Sequence, residues 1–235
     1  MEVTVLKLKC ISNMHVGNGD VNYNIIDNEV EKDPVTGYPT INGSGVKGAL
    51  REYFKNKGID TDIIFGTGEK QGSVRIMSAD FLARPARATS GDRAYYLIST
   101  KDAVCLFTEK LAALGIKYTP EYEEFNEGAV EGYQLARKIV IDEEEIYILE
   151  DNEGFNQISL PVMARNCLSN GKSSSLWYEE VIPHQSIFVL VVLSDSQEDM
   201  KAFLDVVVGK VIQLGGDASI GYGLCKVSKM QMGGE

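Results

Sequence analysis

Residues 187–193, Ile-Phe-Val-Leu-Val-Val-Leu, are seven apolar side chains in a row. Such a run falls well short of the roughly 18 residues a membrane helix needs, and it suits a strand in the middle of a sheet. After it, Met200, Phe203, Leu204, Val207, Val208 and Val211 recur at helical spacing, followed by Gly215-Gly216 and a last strand around Leu224 to Val227. The first half of the chain repeats the theme. Val3 to Leu8 alternates like a half-buried strand and runs into Ile11-Ser-Asn-Met-His-Val-Gly-Asn-Gly-Asp20, rich in turn formers. Ser44 then stands as N-cap before Val46, Ala49, Leu50, Tyr53 and Phe54, one apolar helical face that Gly58 stops. Ser73 to Phe81 reads as the second strand, and Lys101 to Leu114 as a further, weaker helix.

Without the insertions, the order is strand, helix, strand, strand, helix, strand. This α+β order is the ferredoxin-like or RRM-like arrangement, an antiparallel sheet with two helices on one face and the other face free for a ligand. Two stretches stand outside it. Residues 119–153 are acidic and irregular and are expected to form an insertion off the core, while Asn166 to Ser175, centred on Asn170-Gly171, reads as an exposed hairpin or long loop.

The 235 residues, 44% of them hydrophobic, suffice for one substantial core. The N-terminus reads as a first strand rather than a signal peptide. Cys10, Cys105, Cys167 and Cys225 form no C-x-x-C pair and stand at no metal-ligand spacing from His15 or His184, which points to reduced structural thiols and a cytoplasmic protein. The net charge of −11 argues against a polyanion partner until its distribution is considered. Between Lys47 and Lys101 there are ten Lys or Arg against six Asp or Glu, and between Glu109 and Glu153 four against thirteen. One region is suited to face RNA while the other stays solvated.

Gly43-Ser-Gly45-Val-Lys-Gly48 matches G-x-G-x-x-G, but Pro39 interrupts the short segment before it and no parallel βαβ unit follows, so a dinucleotide fold is not supported. Gly209-Lys210-Val211 lacks the earlier glycine and the Ser or Thr of a P-loop. What the first segment offers is a helix N-terminus with Lys47 and Arg51 one turn apart, a natural anion site. Gly215 to Gly223 carries four glycines where a backbone can approach a ligand closely. His15 sits in a loop beside glycines, and a histidine side chain is a residue type suited to acid–base chemistry near neutrality, although a lone His is more often structural. Asp27 has Glu29, Glu31 and Asp33 as neighbours, and spacing does not single it out.

Taken together, Met14 to Gly19, Ile26 to Pro39, Ile41 to Arg51, Leu160 to Asn166, Leu176 to Pro183 and Leu214 to Leu224 resemble the RAMP superfamily, and within it the backbone (fourth) subunit of Cmr-type (type III-B) CRISPR effector complexes. The Leu-Pro-Val-Met-Ala-Arg-Asn and Leu-Trp-Tyr-Glu-Glu segments resemble the Cmr branch in particular. Where the family often carries Ser-Ser-Leu-Lys-Gly, this chain has Gly43-Ser-Gly45-Val-Lys-Gly48.

The resemblance implies a single RAMP domain: a palm of about 1–12, 43–118 and 184–230, a lid of about 13–42 and a thumb hairpin of about 161–183. It implies copies stacked as a filament on a CRISPR guide RNA beside other Cmr-type subunits, with target single-stranded RNA paired to the guide and cut at regular intervals. Asp27 is the implied catalytic residue. His15, Lys47 and Arg51 are expected near guide phosphates, Ser44, Gly215, Gly216 and Gly221 among the RNA-binding residues, and Arg165, Trp177 and Tyr178 as RNA-binding residues of the thumb. A loosely bound Mg²⁺ or Mn²⁺ is expected to arrive mainly with the RNA. A non-catalytic RNA-coating subunit and a Csm-type backbone subunit are the alternatives; a guide-processing endonuclease with two RRM-like halves would need a longer chain.

Overall fold

The computed structural model describes residues 1–17, 19, 25–150, 152–169 and 172–231. In chain order the elements are β1 (Glu2–Cys10), α1 (Gly43–Asn56), the single turn α2 (Asp62–Phe65), β2 (Val74–Ser90), β3 (Tyr95–Ser99) and α3 (Lys101–Ala113). There follow β4 (Tyr122–Glu124), β5 (Ala129–Val130), β6 (Tyr133–Ile141), β7 (Glu144–Leu149), α4 (Asn152–Gln157), β8 (Val162–Ser169) and β9 (Lys172–Glu180). The chain closes with β10 (Ile187–Ser194), α5 (Gln197–Val207), β11 (Val211–Gln213), a 3₁₀ turn (Ala218–Ile220) and β12 (Leu224–Lys229).

The large sheet runs β11-β12-β1-β10-β2-β3-β7-β6-β4. Its centre, β12-β1-β10-β2, is antiparallel throughout and is joined through α1 and α5, which is the expected ferredoxin-like arrangement. β10 is the apolar run, and its alternate side chains serve two cores. Phe188, Leu190 and Val192 join Leu6, Leu8, Val46, Leu50, Phe54 and Phe203 beneath α1 and α5, whereas Ile187 and Val189 join Val5, Leu82, Val104, Phe107 and Leu111 beneath α3. That two-sided burial is why no polar residue interrupts the run.

The structure departs from the sequence reading in several places, among them the end of the last helix, which stops at Val207 so that Val211 opens β11. α1 is capped by Asn42, whose side chain accepts the Ser44 N–H, so Ser44 lies within the first turn. The second face of the sheet is not free for a ligand, because α3 and the β6–β7 hairpin cover it. The acidic stretch is not an irregular insertion off the core: β4, β6 and β7 extend the sheet, and Ile139, Ile141, Ile146 and Ile148 are buried in the second core. Its carboxylates are partly neutralised there. Asp142 and Glu144 reach Lys7 at 2.8 and 3.2 Å, Glu144 reaches Lys9 at 2.7 Å, and Glu145 reaches Arg93 at 2.6 Å.

β8 and β9 form a separate two-stranded ribbon within residues 161–183; the Asn170-Gly171 turn expected at its tip lies outside the described residues. Just ahead of the ribbon, buried Arg84 stacks its guanidinium 4.7 Å over the Phe155 ring and donates to the carbonyls of Phe155 and Ile158, tying the end of α4 to β2. Burial pushes its pKa down to about 10 despite the neighbouring Glu131 and Glu180. Among the described residues no helix is long and apolar enough to cross a membrane.

Candidate nucleic-acid interface

At the end of β1 the chain leaves the sheet between the foot of the ribbon and the glycine-rich loop after β11. Met14 exchanges backbone hydrogen bonds with Ile182 at 2.9 and 2.8 Å, Gly223 N–H donates to Asn13 O at 2.7 Å, and Gly216 N–H donates to His15 O at 2.9 Å. Glycine is required at two of these contacts. Gly215 has φ +78° and a Cβ there would lie 2.3 Å from His15 O, while at Gly223, φ +76°, a Cβ would lie 1.9 Å from Leu214 O. Gly221 also takes a positive φ, closing the 3₁₀ turn, whereas Gly216 is uncrowded.

His15 is therefore held by its backbone, and its buried ring is held too: Nδ1 lies 2.8 Å from Glu180 O and 3.8 Å from Glu179 Oε1. A carbonyl oxygen only accepts, so Nδ1 carries the hydrogen of that bond. Alternation along β9 sends the two adjacent carboxylates to opposite faces. Glu180 accepts from Val30 N–H at 3.1 Å and from Lys32 Nζ at 3.0 Å, fastening residues 30–32 to the ribbon. Glu179, 2% exposed, faces Arg165. Arg165 Nη1 donates to Glu179 Oε2 at 2.6 Å and lies 2.7 Å from Asp217 Oδ2 in the glycine-rich loop. The same guanidinium lies 5.2 Å from the Trp177 ring and 5.9 Å from Tyr222. The hydrogen bond to Arg165 holds the Asp217 carboxyl below its usual range, and the two carboxylates raise Arg165 further above its own.

Asp27 runs alongside β9 rather than standing in a free loop. Its N–H donates to Tyr178 O at 3.0 Å and its Oδ2 accepts the Tyr178 N–H at 2.8 Å, while Glu180 N–H donates to Asn28 O at 2.9 Å. The Asp27 side chain is exposed, with Oδ1 outside these bonds.

His15, Asp27, Arg165, Trp177, Tyr178, Gly215 and Gly216 thus converge where the ribbon, the described residues between β1 and α1, and the glycine-rich loop meet. The α1 N-terminus adjoins them through Glu31, whose N–H donates to Val16 O at 2.7 Å and whose Oε1 accepts from Asn42 Nδ2 at 3.2 Å. Ser44 is exposed there, and the side chain of half-buried Lys47 makes no hydrogen bond or ion pair among the described residues. Arg51 stands apart from this group. It turns toward α2, donates to Gly66 O and lies 3.9 Å from Asp62, so it does not form one clamp with Lys47. Glu179, Glu180, Asp217 and Tyr222 are site residues the sequence reading missed. Two adjacent carboxylates inside a strand were the available signal for the first pair; nothing local marks Asp217 or Tyr222.

Among the described residues, the assembly is an open surface with one exposed carboxylate, backbone approaches at glycines and aromatic faces, which suits an extended polymer. A cavity of about 330 Å³ lies elsewhere, between residues 33–40 and α3, lined by Tyr38, Phe81, Leu106 and Phe107 among others. Among the described residues no group of three or more His, Cys, Asp or Glu is placed to hold a metal ion.

The sequence pattern of the RAMP superfamily matches residues 7–226, and the chain belongs to that superfamily. Within it, the chain is similar to the CRISPR system Cmr endoribonuclease Cmr4 of Pyrococcus furiosus, with 24% identity over 97% of this chain and 96% of that protein. Among solved structures, a chain of the type III-B Cmr-beta bound to cognate target RNA superposes with a TM-score of 0.76 at 18% identity, covering 97% of each chain. The oligomeric Cmr4 of Pyrococcus furiosus superposes with a TM-score of 0.64 at 23% identity, covering 99% of this chain and 100% of that one. These likenesses establish the fold.

Proposed function

We propose that this chain is the guide-RNA-binding backbone subunit of a type III-B CRISPR effector, stacked in several copies along the guide with other Cmr-type subunits, and that it cuts complementary target RNA at regular intervals. The observation that carries the reading is the convergence of lid, ribbon and glycine-rich loop on a surface that presents Asp27. Similarity to a protein described as an endoribonuclease of the Cmr system, over nearly the full length of both, supports it. Free thiols at all four cysteines suit the reducing cytoplasm.

An RNA strand brings its own nucleophile, the 2′-OH beside the scissile phosphate. Cleavage then requires the 2′-oxygen, phosphorus and leaving oxygen to be held in line. In this reading the glycine-rich loop and the α1 N-terminus with Ser44 and Lys47 bind guide phosphates. The ribbon, with Trp177 and Tyr178, parts the stacked nucleotides so that one is kinked. Asp27, with Oδ2 fixed by the Tyr178 N–H, presents Oδ1 to the 2′-OH and takes up its proton as the 2′-oxygen bonds to phosphorus; the bond from phosphorus to the 5′-oxygen breaks, leaving a 2′,3′-cyclic phosphate on one product and a 5′-hydroxyl, protonated from water, on the other. His15, its Nδ1 engaged by Glu180 O, has its Nε2 beside Gly17.

The Mg²⁺ or Mn²⁺ expected from the resemblance finds no preformed cage among the described residues, since a lone carboxylate supplies one ligand of about six. A divalent cation held by RNA phosphates would neutralise charge at the phosphoryl oxygens; the roles above use only the chain's own groups.

The experiment is to assemble the chain with guide RNA and the companion subunits and to present a complementary RNA. Cuts at regular spacing, dependent on the presence of this chain, are expected. Target bound but left intact would make the subunit a structural coat.

A further inference from the structure

Among the described residues, the ribbon β8–β9 pairs with no strand of the large sheet. A two-stranded ribbon is marginal alone, so its angle to the palm is set by the bonds that residues 13–32 and the glycine-rich loop make with its foot. One of these is made entirely by side chains from distant parts of the sequence: Arg165 Nη1 sits between Glu179 Oε2 at 2.6 Å and Asp217 Oδ2 at 2.7 Å. The palm end of that bridge is itself fixed. Asp217 holds a left-handed conformation, φ +58°, unusual for a residue with a side chain. Its carbonyl accepts the Ile220 and Tyr222 N–H groups at 3.1 and 3.3 Å, and the preceding Gly216 is bonded to His15 O. The ribbon end connects directly to the reactive carboxylate, because Glu179 follows Tyr178, and Tyr178 binds Asp27 through both its N–H and its carbonyl. Asp27 is thus mounted on the ribbon, and whatever tilts the ribbon moves Asp27.

We propose that Asp217 is a positioning residue: through Arg165 and Glu179 it sets the angle of the ribbon, and so the phosphodiester that Asp27 addresses and the alignment with which it does so. This rests on the reading above, in which Asp27 takes part in cleavage. It also gives Arg165 a different task from the RNA contact expected of a thumb arginine. Its charge is engaged by two carboxylates, and its plane lies against Trp177 and Tyr222, a geometry that orients the hairpin.

The test uses the assembled complex with Asp217→Asn. Asparagine keeps the shape and tolerates the left-handed backbone, so the loop is retained while the charge is lost. Single-turnover cleavage of a paired target, mapped to the nucleotide, is compared with guide and target binding. A displacement of about 1 Å lowers an aligned reaction on the order of a hundredfold. The expected result is therefore a cleavage rate lower by roughly tenfold to a hundredfold, cuts spread onto neighbouring phosphodiesters, and binding within about threefold of wild type. Arg165→Gln is expected to produce the same spread, and the double variant to be no worse than the single ones, as for two residues of one device. Native rate and native cut positions in Asp217→Asn would overturn the proposal, and so would failure of that complex to assemble, which would make the bridge structural. An Asp27→Asn complex run in parallel separates the layers: if it cuts like wild type, the catalytic reading has failed, whereas an inactive Asp27→Asn beside an unaltered Asp217→Asn rejects only the positioning role.

Discussion

Replacing Gly215 by alanine tests whether the junction between the glycine-rich loop and the His15 segment depends on close backbone approach. Two penalties follow from the geometry. A residue with a Cβ at φ +78° meets the left-handed penalty of about 1–2 kcal/mol. The Cβ would also fall 2.3 Å from His15 O, so the 2.9 Å bond from Gly216 N–H to that oxygen must lengthen or break. A net backbone bond contributes about 0.5–1.5 kcal/mol, and the combined loss is about 2–3 kcal/mol. With a urea slope of about 2–3 kcal/mol/M this lowers the unfolding midpoint by about 1 M. The internal control is its neighbour. At Gly216 no positive φ is imposed and a Cβ would come no closer than 3.9 Å to His15 O, so Gly216→Ala should shift the midpoint little or raise it slightly. Urea unfolding followed by circular dichroism reads both. Equal effects from the two substitutions would refute the close-approach argument.

Three further outcomes follow from particular contacts. Arg165 lowers the Asp217 carboxyl below its usual 3.8, so the stability this pair contributes is complete above about pH 4 and fades as the pH falls through the lowered folded value; the stability gap between wild type and Asp217→Asn should be full at pH 7 and close in acid. Phe203 is fully buried, stacked 5.9 Å from Phe54 and edge-to-face with Phe65 at 6.3 Å, so Phe203→Ala should cost about 3–5 kcal/mol in urea unfolding, while exposed Leu106→Ala should cost little. If Lys47 meets a guide phosphate, Lys47→Ala should reduce the slope of log affinity against log salt by about 0.7, whereas Arg51→Ala, which removes a donor engaged by Gly66, should destabilise the chain and leave that slope unchanged.

The palm was legible because its signals are local. Seven apolar residues at 187–193 predict a strand covered on both faces, and the helical spacing after Met200 and after Val46 marks the two packed helices. The N-cap was displaced by two residues because Asn42 and Ser44 are both good caps, and only the tertiary position of the Asn42 side chain decides between them. β2 continues to Ser90 through pairing with β3 and β5, contacts that no local pattern announces. The acidic stretch misled for an electrostatic reason. Leu135, Ile139, Ile141 and Ile146 to Leu149 carry strand signals, but the carboxylates between them suggested a solvated insertion; Lys7, Lys9 and Arg93, distant in sequence, neutralise several of them. At the candidate site, the glycines, His15 and Asp27 could be picked out by motif. The Arg165–Asp217 bridge could not, because it depends on a loop after β11 meeting a ribbon fifty residues earlier. Lys47 and Arg51 looked equivalent on one helical face until the end of α2 engaged one of them.

The central claim is that Asp27 performs the cutting. Cleavage of guide-complementary RNA by the assembled complex carrying Asp27→Asn, with target binding followed in parallel, tests it directly. Asparagine still offers a carbonyl oxygen to the Tyr178 N–H and leaves the local structure in place, so binding should be retained while the regularly spaced cuts fall by at least about a hundredfold, the loss expected when a general base is removed. Undiminished cutting with binding intact would contradict the account and place the nuclease elsewhere in the complex.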